Sequence, residues 1–557
     1  MSALTKETQS YEQVISAFNW SAVLDDLGWS GETTVDLAWT IVDRHARGAK
    51  ADQTAILWVG ANGTERRITF RELSQWSSRF GNLLRRIGIR KGDRVATILP
   101  RIPQAIPAVL GALRVGAVFV PVFSGFGPDA AAYRIKHSGA KAVCVSSRYR
   151  HLVPPIDDLS VITVGDPTSK TPDGGDIDCE QALAVESDTC EATRYARNEP
   201  AAIIYTSGST GQPKGCVIAA NILAAMWPYV HYGLDLRPDG GVFWPTGDPS
   251  WGYGLCCYLP ALAMAASVLS VEPNATFEVC QQIIEKYRVI NLATTPTVLR
   301  SMMAESETIS SVGSSIGAIS SCGEPLNGEV VEFFRRVWGV TPMDHFGATE
   351  FGLPIGNHNG LQMQVKPGSM GLPAPGQCMA VVNEEGEELP PDAIGLIAQR
   401  SDDNNRYWLR YWRDEEATSK LYRGRWTCTG DLARRDNDGY FWFEGRSDDI
   451  IKSSGYRIGP FEIESAILKH DAVVEAAVIG IPDSLRGQAI KAYVVTRPEV
   501  ERSGRLVEDI IELVKKSCGR HQSPREIEFV DSLPKTQTGK IQRFLLRQAA
   551  TQSKASA

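Results

Sequence analysis

The segment Thr206–Gly215 carries residue types that could hold a chain of phosphates. It reads Thr-Ser-Gly-Ser-Thr-Gly-Gln-Pro-Lys-Gly and follows the compact apolar run Ala201–Tyr205, which predicts a strand. Glycines let backbone N–H groups approach an anion closely, while hydroxyl groups and a lysine add donors and charge. The GxxxxGK[ST] spacing of a Walker A loop is absent. Composition alone leaves a flexible surface loop as the alternative, so this segment by itself predicts phosphate binding and no particular reaction.

Size and composition limit the class of protein. With 557 residues, the chain exceeds one ordinary hydrophobic core and predicts several domains or subdomains. Hydrophobic residues make up 43% and charged residues 22%, as in folded globular proteins. The formal net charge is -7, whereas proteins that bind nucleic acid usually carry a strong basic patch. We therefore expect no nucleic-acid partner.

Signals for targeting and for disulfides are also missing from the sequence. The N-terminus lacks the apolar core of a signal peptide, and Arg114 and Pro260 interrupt the longest apolar stretches, so we expect no transmembrane segment. The 11 cysteines form no CxxC pair and no His/Cys cluster with zinc spacing. Reduced thiols are typical of the cytoplasm, which is the predicted location. A homo-oligomer remains open.

Strands alternate with helices through most of the chain. Ala55–Val59, the turn at Asn62-Gly63 and Arg66–Phe70 predict a hairpin. Thr69 can cap the helix that follows, because Glu72 stands three residues later and completes a capping box. This alternation predicts a layered α/β fold.

The last hundred or so residues have a different pattern. Val473–Ile481 and Lys491–Thr496 predict strands, and Val507–Cys518 and Ile541–Ala550 predict helices, which together indicate a small α+β domain. Before them, the Gly- and Pro-rich stretch Lys366–Gly376 predicts the start of a new substructure.

The ten-residue phosphate segment and the motifs below resemble those of the acyl-adenylate-forming superfamily, which includes acyl-CoA synthetases, peptide-synthetase adenylation domains and luciferases. The resemblance covers roughly Ile68–Leu546 and is strongest to the short- and medium-chain, acetyl-CoA synthetase-like branch. It implies a large N-terminal AMP-binding domain of layered α/β subdomains, residues 1–447. A small α+β C-terminal domain, residues 448–557, would rotate about a hinge.

The resemblance assigns nucleotide roles to two motifs. Gly323-Glu324-Pro325 would line one face of the adenine. In the motif Asp344–Glu350, Phe346 would stack on the adenine and Asp344 would lie near its amino group, while Thr349 would bind the α-phosphate and Glu350 would hold Mg²⁺. A hard cation that keeps few carboxylates beside phosphate oxygens fits this assignment. The family's usual glutamine is replaced by Ala348.

Three further motifs complete the implied site. Asp431 ends a Trp-Thr-Cys-Thr-Gly-Asp motif and would accept hydrogen bonds from the ribose hydroxyls. In Gly445–Pro460, Arg446 would contact ribose or phosphate, Asp448 would be the hinge, and Gly455 would let the pantetheine arm of CoA pass. Lys540 would be the catalytic lysine that neutralises charge during adenylation.

The predicted catalytic residues are Lys540, Thr206 and Glu350, with Glu350 as the metal ligand. The predicted cofactor-binding residues are Thr206, Ser207, Gly208, Ser209, Thr210, Gly211, Lys214, Gly323, Glu324, Pro325, Asp344, His345, Phe346, Gly347, Thr349, Asp431, Arg446, Gly455, Arg457 and Lys540.

The acyl pocket is predicted from the aromatic segment Trp244–Leu255. Acetate enzymes of the family carry a tryptophan where this chain has Gly347, so the glycine predicts space for an acid larger than acetate. On the other side, Val122–Phe126 resembles the acetyl and propionyl branch. We therefore expect a short- to medium-chain or branched/aromatic acid. The predicted pocket residues are Trp251, Gly252, Tyr253, Cys322 and Gly347.

The implied enzyme is an AMP-forming acid–thiol ligase that uses ATP, Mg²⁺ and coenzyme A. The carboxylate would attack the α-phosphorus of ATP to give an acyl adenylate and pyrophosphate, and the CoA thiol would then displace AMP. Two alternatives stay open at this point. The acyl group could pass to a separate carrier protein, or the chain could be a non-catalytic nucleotide-binding relative.

Overall fold

The fold is described from a computed structural model. It covers residues 9–165, 175–206, 212–237, 241–304, 315–401, 407–447, 449–453, 456–483, 486–535 and 541–555. In these ranges, we find no helix with the length and apolarity that a membrane crossing requires.

The helices are short to medium in length and are distributed along the whole chain. They are α1 (Tyr11–Ala17), α2 (Trp20–Leu27), α3 (Arg44–Ala46), α4 (Phe70–Arg86), α5 (Ala105–Arg114), α6 (Pro128–Ser138), α7 (Cys179–Ala184), α8 (Ile222–Pro228), α9 (Gly252–Ala263), α10 (Phe277–Tyr287), α11 (Pro296–Ala304), α12 (Gly328–Trp338), α13 (Glu415–Ser419), α14 (Pro460–Ile467), α15 (Gly504–Cys518) and α16 (Arg543–Ala555).

The strands form separate sheets. They are β1 (Thr34–Val35), β2 (Thr54–Val59), β3 (Glu65–Thr69), β4 (Arg94–Ile98), β5 (Val118–Pro121), β6 (Ala140–Ser146), β7 (Ser160–Val164), β8 (Ile177–Asp178), β9 (Tyr195–Ala196), β10 (Pro200–Thr206), β11 (Lys214–Ala219), β12 (Val242–Pro245), β13 (Ser267–Val271), β14 (Val289–Thr294), β15 (Ala318–Cys322), β16 (Pro342–Ala348), β17 (Gly352–Gly356), β18 (Leu372–Pro373), β19 (Met379–Val382), β20 (Gly395–Arg400), β21 (Trp408–Tyr411), β22 (Tyr422–Arg423), β23 (Trp426–Arg435), β24 (Phe441–Arg446), β25 (Ile451–Ser453), β26 (Tyr456–Ile458), β27 (Val473–Asp483), β28 (Gly487–Thr496) and β29 (Glu526–Phe529).

Two large, mainly parallel sheets form the body of the N-terminal part. One has eight strands in the order β21-β11-β10-β5-β4-β6-β7-β8, and the other has nine in the order β18-β17-β16-β15-β14-β12-β13-β2-β3. The largest buried cluster joins side chains of both sheets, such as Ile204 and Phe243, with side chains of α5, α8 and α9, such as Leu110, Leu223 and Leu255. These helices therefore pack between the two sheets, which confirms the predicted layered α/β fold.

The nine-stranded sheet ends where the sequence predicted a new substructure. Its edge strand β18 lies within the Gly- and Pro-rich stretch, and β19 opens a five-stranded antiparallel sheet of β19, β20, β22, β23 and β24. The last strand of that sheet ends at Arg446, whereas β25 begins at Ile451 in the final sheet with β26, β27, β28 and β29. The chain thus changes sheet between residues 446 and 451.

Local sequence signals are well reproduced. The Thr69 hydroxyl caps the backbone N–H of Glu72 at 3.2 Å, and Glu72 accepts from the Thr69 N–H at 2.7 Å, so the capping box is confirmed.

The predicted start of the last helix at Ile541 is wrong. Ile541 forms an isolated antiparallel bridge with Lys535, and α16 begins at Arg543 because that bridge holds the chain extended.

Candidate active site

The two described ends of the phosphate segment lie side by side. Thr206 ends β10 and Lys214 begins β11, and these residues are register partners in the antiparallel pair. The Thr206 hydroxyl donates to the Lys214 carbonyl at 3.4 Å. On its other edge β10 runs parallel to β5, so the segment leaves the carboxyl end of a parallel strand, a usual place for ligand binding. The predicted residues Ser207, Gly208, Ser209, Thr210 and Gly211 lie outside the described residues.

Glu350 lies just after β16 and is held by two donors from the other sheet. The Tyr411 hydroxyl donates to Glu350 Oε1 at 2.6 Å, and the buried Cys216 thiol donates to the same oxygen at 3.5 Å. Cys216 and Tyr411 are register partners on β11 and β21. The Lys214 Nζ lies 5.0 Å from the centroid of the Tyr411 ring. The predicted metal ligand is therefore attached to the strand that carries the phosphate-segment lysine.

Sequence reasoning missed Cys216 and Tyr411. Cys216 stands two residues after Lys214, so strand periodicity places it on the same face, and this signal was available. Tyr411 is 61 residues from Glu350 in sequence, and no local pattern in the chain marks it.

The arrangement at Glu350 fits a magnesium ion that is bound mainly through phosphate. Among the described residues there is no cluster of three or more His, Cys, Asp and Glu side chains that could hold a metal ion by themselves. Mg²⁺ is commonly bound by one or two carboxylates together with substrate phosphates. The described side chains that donate to Glu350 both reach Oε1, so Oε2 is left for a cation.

Asp344 on β16 presents a buried acceptor beside the Gly323-Glu324-Pro325 turn. Its Oδ2 accepts from the Leu326 N–H at 3.3 Å, whereas its buried Oδ1 receives no hydrogen bond from the described residues. Burial raises the pKa of Asp344 to about 7. A buried acceptor without a donor is what the exocyclic amino group of adenine would satisfy.

The turn itself is shaped by two features. Gly323 has φ of +104°, which a residue with a side chain rarely adopts. The Glu324 carboxylate accepts from Arg300 at 2.7 Å and from the Thr297 hydroxyl at 3.0 Å. Arg300 and Thr297 belong to α11, so this helix fixes the orientation of the turn next to Pro325.

The next residues of β16 alternate between two faces. His345 is buried, and its ring meets the Tyr229 ring edge-on at 5.1 Å. Burial lowers the pKa of His345 to about 3, so the imidazole is neutral at physiological pH. Phe346 is only partly buried and packs against the cluster that contains Phe351 and Ile355. Thr349 is also partly exposed.

Asp431 and Arg446, the two residues predicted to contact the ribose, face each other across a strand pair. They are register partners on β23 and β24, and Arg446 Nη1 lies 3.2 Å from Asp431 Oδ1. The Thr429 hydroxyl donates to Asp431 Oδ2 at 2.5 Å. Gly430 between them has φ of +86°, and its carbonyl accepts from the Ser447 N–H at 2.8 Å. The structure thus brings this predicted pair together.

An aromatic wall surrounds Trp251. Its ring lies 5.4 Å from the Phe123 ring and 5.6 Å from the Phe126 ring, and these two phenylalanines are 5.9 Å apart. The Arg134 guanidinium sits over Phe126 at 3.9 Å. Phe123 and Phe126 come from the other predicted pocket segment, so the two segments meet. A Cβ built on Gly252 would lie 4.0 Å from Thr349 Oγ1, which brings this wall close to the nucleotide motif.

The space beside Gly347 is already filled. A Cβ at this position would lie 2.4 Å from the Gly352 carbonyl oxygen and 2.6 Å from Leu353 Cδ2. The β16–β17 hairpin places Leu353 in this space. The prediction that Gly347 leaves room for an acid larger than acetate therefore stays a prediction that must take Leu353 into account.

Tyr253 and Cys322 belong to one largely buried group of side chains. The Tyr229 hydroxyl donates to the Tyr253 hydroxyl at 3.3 Å, and the thiols of Cys257 and Cys322 are close enough to influence both phenols. Burial, with smaller contributions from these neighbours, raises the pKa of Tyr229, Tyr253 and Cys257 well above their usual ranges. Tyr229, Tyr253 and Cys257 therefore carry no charge at physiological pH.

The predicted residues of the C-terminal motifs are largely undescribed. Lys540, Gly455 and the predicted hinge residue Asp448 lie outside the described residues, and Arg457 is described by its backbone, which pairs with Lys452. The bridge between Lys535 and Ile541 brings together the two ends of the segment that contains Lys540.

Acidic residues after the hinge bind the helix that follows Lys540. Asp449 accepts from Arg547 at 2.7 Å and lies 3.6 Å from Arg543, which is also bound by Glu464 at 2.7 Å. Burial alone would lower the pKa of Arg543, but Glu464, Asp449 and also Glu324 raise it. Arg543 is thus within electrostatic reach of the nucleotide turn.

Known proteins match the chain over nearly its whole length. The family model described as AMP-binding enzyme matches residues 42–406, and the model described as AMP-binding enzyme C-terminal domain matches residues 462–540. An acetyl-coenzyme A synthetase of Bacillus subtilis (strain 168) is 34% identical over 549 residues, 97% of this chain and 95% of that protein.

Solved structures agree with these matches. An acyl-CoA synthetase of Brucella canis is 36% identical, with a TM-score of 0.77, and the match covers 98% of this chain and 100% of that one. An anthranilate CoA ligase in complex with anthranoyl-AMP is 27% identical, with a TM-score of 0.85, over 94% and 98% of the two chains. The chain therefore belongs to the AMP-binding enzyme family and is an acid–thiol ligase of its AMP-forming acyl-CoA synthetase branch.

Proposed function

We propose that this enzyme activates a short- to medium-chain or branched/aromatic carboxylic acid, rather than acetate, as an acyl adenylate and transfers the acyl group to CoA. The observation that carries the reaction is the set of contacts that ties Glu350 to Tyr411 and Cys216, beside Lys214 of the phosphate segment. Carboxylate and ammonium groups placed together are suited to a metal-bound triphosphate. The relatives are named as CoA-dependent enzymes, so transfer to a carrier protein finds no support.

The first half-reaction needs charge to be neutralised around the α-phosphorus. One carboxylate oxygen of the acid forms a bond to this phosphorus, and the bond to pyrophosphate breaks. Lys214 and Lys540 would stabilise the phosphate oxygens, and Asp344 and the Asp431–Arg446 pair would hold the nucleoside. Mg²⁺, when bound at Glu350, would supply further neutralisation of the departing charge.

The second half-reaction uses the same acyl carbon. The CoA thiol loses its proton, sulfur bonds to the acyl carbon, and the bond to AMP breaks. We propose that the chain divides at residues 447 and 448 and that the C-terminal domain rotates there between the two steps. The change of sheet between residues 446 and 451 supports this boundary.

The nature of the acid is supported by the aromatic wall and by Tyr253. Phe123, Phe126 and Trp251 offer apolar surface, and burial raises the pKa of Tyr253 well above its usual range, so these neutral side chains favour an uncharged acyl tail. The similarity to an anthranilate ligase favours room for a ring, whereas the acetyl-CoA synthetase relative favours a small acid. Leu353 fills the space beside Gly347, so we expect its side chain to influence which size of acid is preferred.

The reaction is tested with purified protein, ATP, Mg²⁺ and a panel of acids from acetate to hexanoate with branched and aromatic members. We expect pyrophosphate release with the preferred acid, and thioester together with AMP when CoA is added. Release that gives adenylate but no thioester would contradict CoA as the acceptor. The absence of pyrophosphate release with every acid would overturn the proposed activity.

Lys540→Ala should lose mainly the first half-reaction. Removal of one preorganised charge partner of a transferring phosphoryl group costs about 100-fold or more in rate. We expect such a loss in pyrophosphate release, with thioester formation from preformed acyl adenylate retained. Lys420→Ala, which removes an exposed lysine just after α13 that pairs with Glu416, serves as the control. Equal losses in both half-reactions would refute the assigned role.

ATP binding should release a proton from Asp344. A donor to the carboxylate stabilises its charged form and lowers its pKa, which is about 7 in the empty site. At pH 7 the wild type should therefore release about half a proton per site more than Asp344→Asn does. The difference should vanish at pH 9, where the carboxylate is already ionised. It is measured by calorimetry in buffers of different ionisation enthalpy, and an identical proton count in both proteins would contradict adenine binding at Asp344.

Leu353→Ala should widen the acyl pocket. Loss of the side chain that fills the space beside Gly347 should raise kcat/KM for a longer or branched acid relative to acetate by about tenfold, since methylene-sized changes in pockets have effects of this order. Leu372→Ala is a matched control, because both leucines are 8% exposed and Leu372 lies on β18, two strands from Gly347 on β16. An unchanged ratio of acids would show that Leu353 does not border the acyl group.

A further inference from the structure

We propose that Tyr411 and Cys216 are positioning residues that set the coordination geometry of Glu350 and thereby the affinity of the enzyme for Mg²⁺·ATP. This inference rests on the proposed metal role of Glu350. It concerns two side chains that belong to neither the nucleotide motifs nor the acyl pocket.

The first observation is that both donors converge on one oxygen. Tyr411 Oη lies 2.6 Å and Cys216 Sγ 3.5 Å from Glu350 Oε1. Two donors on Oε1 occupy the lone pairs of that atom and fix the plane of the carboxylate. A cation at this site would then be held through Oε2. Mg²⁺ demands near-ideal octahedral geometry, and a bidentate carboxylate would distort it.

The second observation is that the donors are fixed relative to the phosphate segment. Cys216 and Tyr411 are register partners, and the Trp412 N–H donates to the Gly215 carbonyl at 2.7 Å, which extends the ladder to the residue after Lys214. The Tyr411 N–H donates in turn to the Thr418 hydroxyl at 3.0 Å. The backbone that ends the phosphate segment therefore also places the two donors of Glu350.

The third observation is that Tyr411 contacts both Lys214 and Glu350. Lys214 Nζ lies 5.0 Å above the Tyr411 ring, within the range of a cation–π contact. One tyrosine thus uses its ring for the phosphate-segment lysine and its hydroxyl for the metal ligand. Outer partners that orient a metal ligand typically change metal affinity 10–100-fold when they are removed.

The variants are Tyr411→Phe, which deletes only the hydroxyl, and Cys216→Ala. Glu350→Gln reports the role of the ligand itself. Tyr287→Phe is the matched control, because its hydroxyl also donates to a glutamate, Glu65 Oε1 at 2.9 Å, away from the site. Melting temperatures without ligand show whether each variant keeps the wild-type fold.

Binding of a non-hydrolysable ATP analogue is measured by calorimetry, once with Mg²⁺ and once with EDTA. The gain in affinity that Mg²⁺ provides should fall about tenfold in Tyr411→Phe, and by a smaller factor in Cys216→Ala because its contact is longer and weaker. Affinity in EDTA should stay unchanged, and so should thioester formation from preformed acyl adenylate. The Mg²⁺ concentration for half-maximal pyrophosphate release should rise about tenfold in Tyr411→Phe.

Each other outcome overturns a defined part of this proposal. If Mg²⁺ still raises the affinity for the ATP analogue fully in Tyr411→Phe but no longer does so in Glu350→Gln, the positioning role is rejected and Glu350 remains the ligand. Parallel losses with Mg²⁺ and with EDTA indicate that the tyrosine only supports the fold, which also rejects the inference. If Mg²⁺ still raises the affinity for the ATP analogue in Glu350→Gln, the metal role of Glu350 is rejected, and the inference with it.

Discussion

The carboxylate of Glu350 links the two large sheets through side-chain hydrogen bonds. Glu350 follows β16 of the nine-stranded sheet, while both of its donors, Tyr411 and Cys216, belong to the eight-stranded sheet. A ligand that needs a lysine from one sheet and a carboxylate from the other must bind where their strand ends converge. The helices packed between the sheets set this separation, so the layered core determines the distance between the cationic and anionic halves of the site.

Around this junction, burial decides which groups carry charge. Asp344 lies in the interior with one oxygen lacking a described donor, which raises its pKa and makes a ligand N–H group favourable there. Tyr229, Tyr253 and His345 are kept neutral by the same burial. The proposed acyl side offers an aromatic surface and the neutral phenol of Tyr253, so an uncharged acyl tail would bind there without desolvating an ion.

The sequence could predict what depends on short stretches of chain. The capping box at Thr69 and the strand before Thr206 both follow from local pattern. Contacts between sheets could not be predicted in this way. Tyr411 reaches Glu350 because β21 happens to pair with β11, and no spacing in the chain encodes that pairing. The position of Leu353 beside Gly347 could not be predicted for the same reason, since the β16–β17 hairpin brings it there.

Ion pairs in the C-terminal domain connect the predicted hinge to the helix that follows Lys540. Asp449 directly follows the predicted hinge, and its bonds to Arg543 and Arg547 join it to the helix after Lys540. A turn of the backbone at the hinge would therefore carry the lysine segment with it as one body. Glu464 binds Arg543 as well, and buried carboxylates that share a guanidinium resist separation because an unpaired charge would remain. Under the proposed rotation, the same pairs would keep Asp449 and α16 together as the small domain turns.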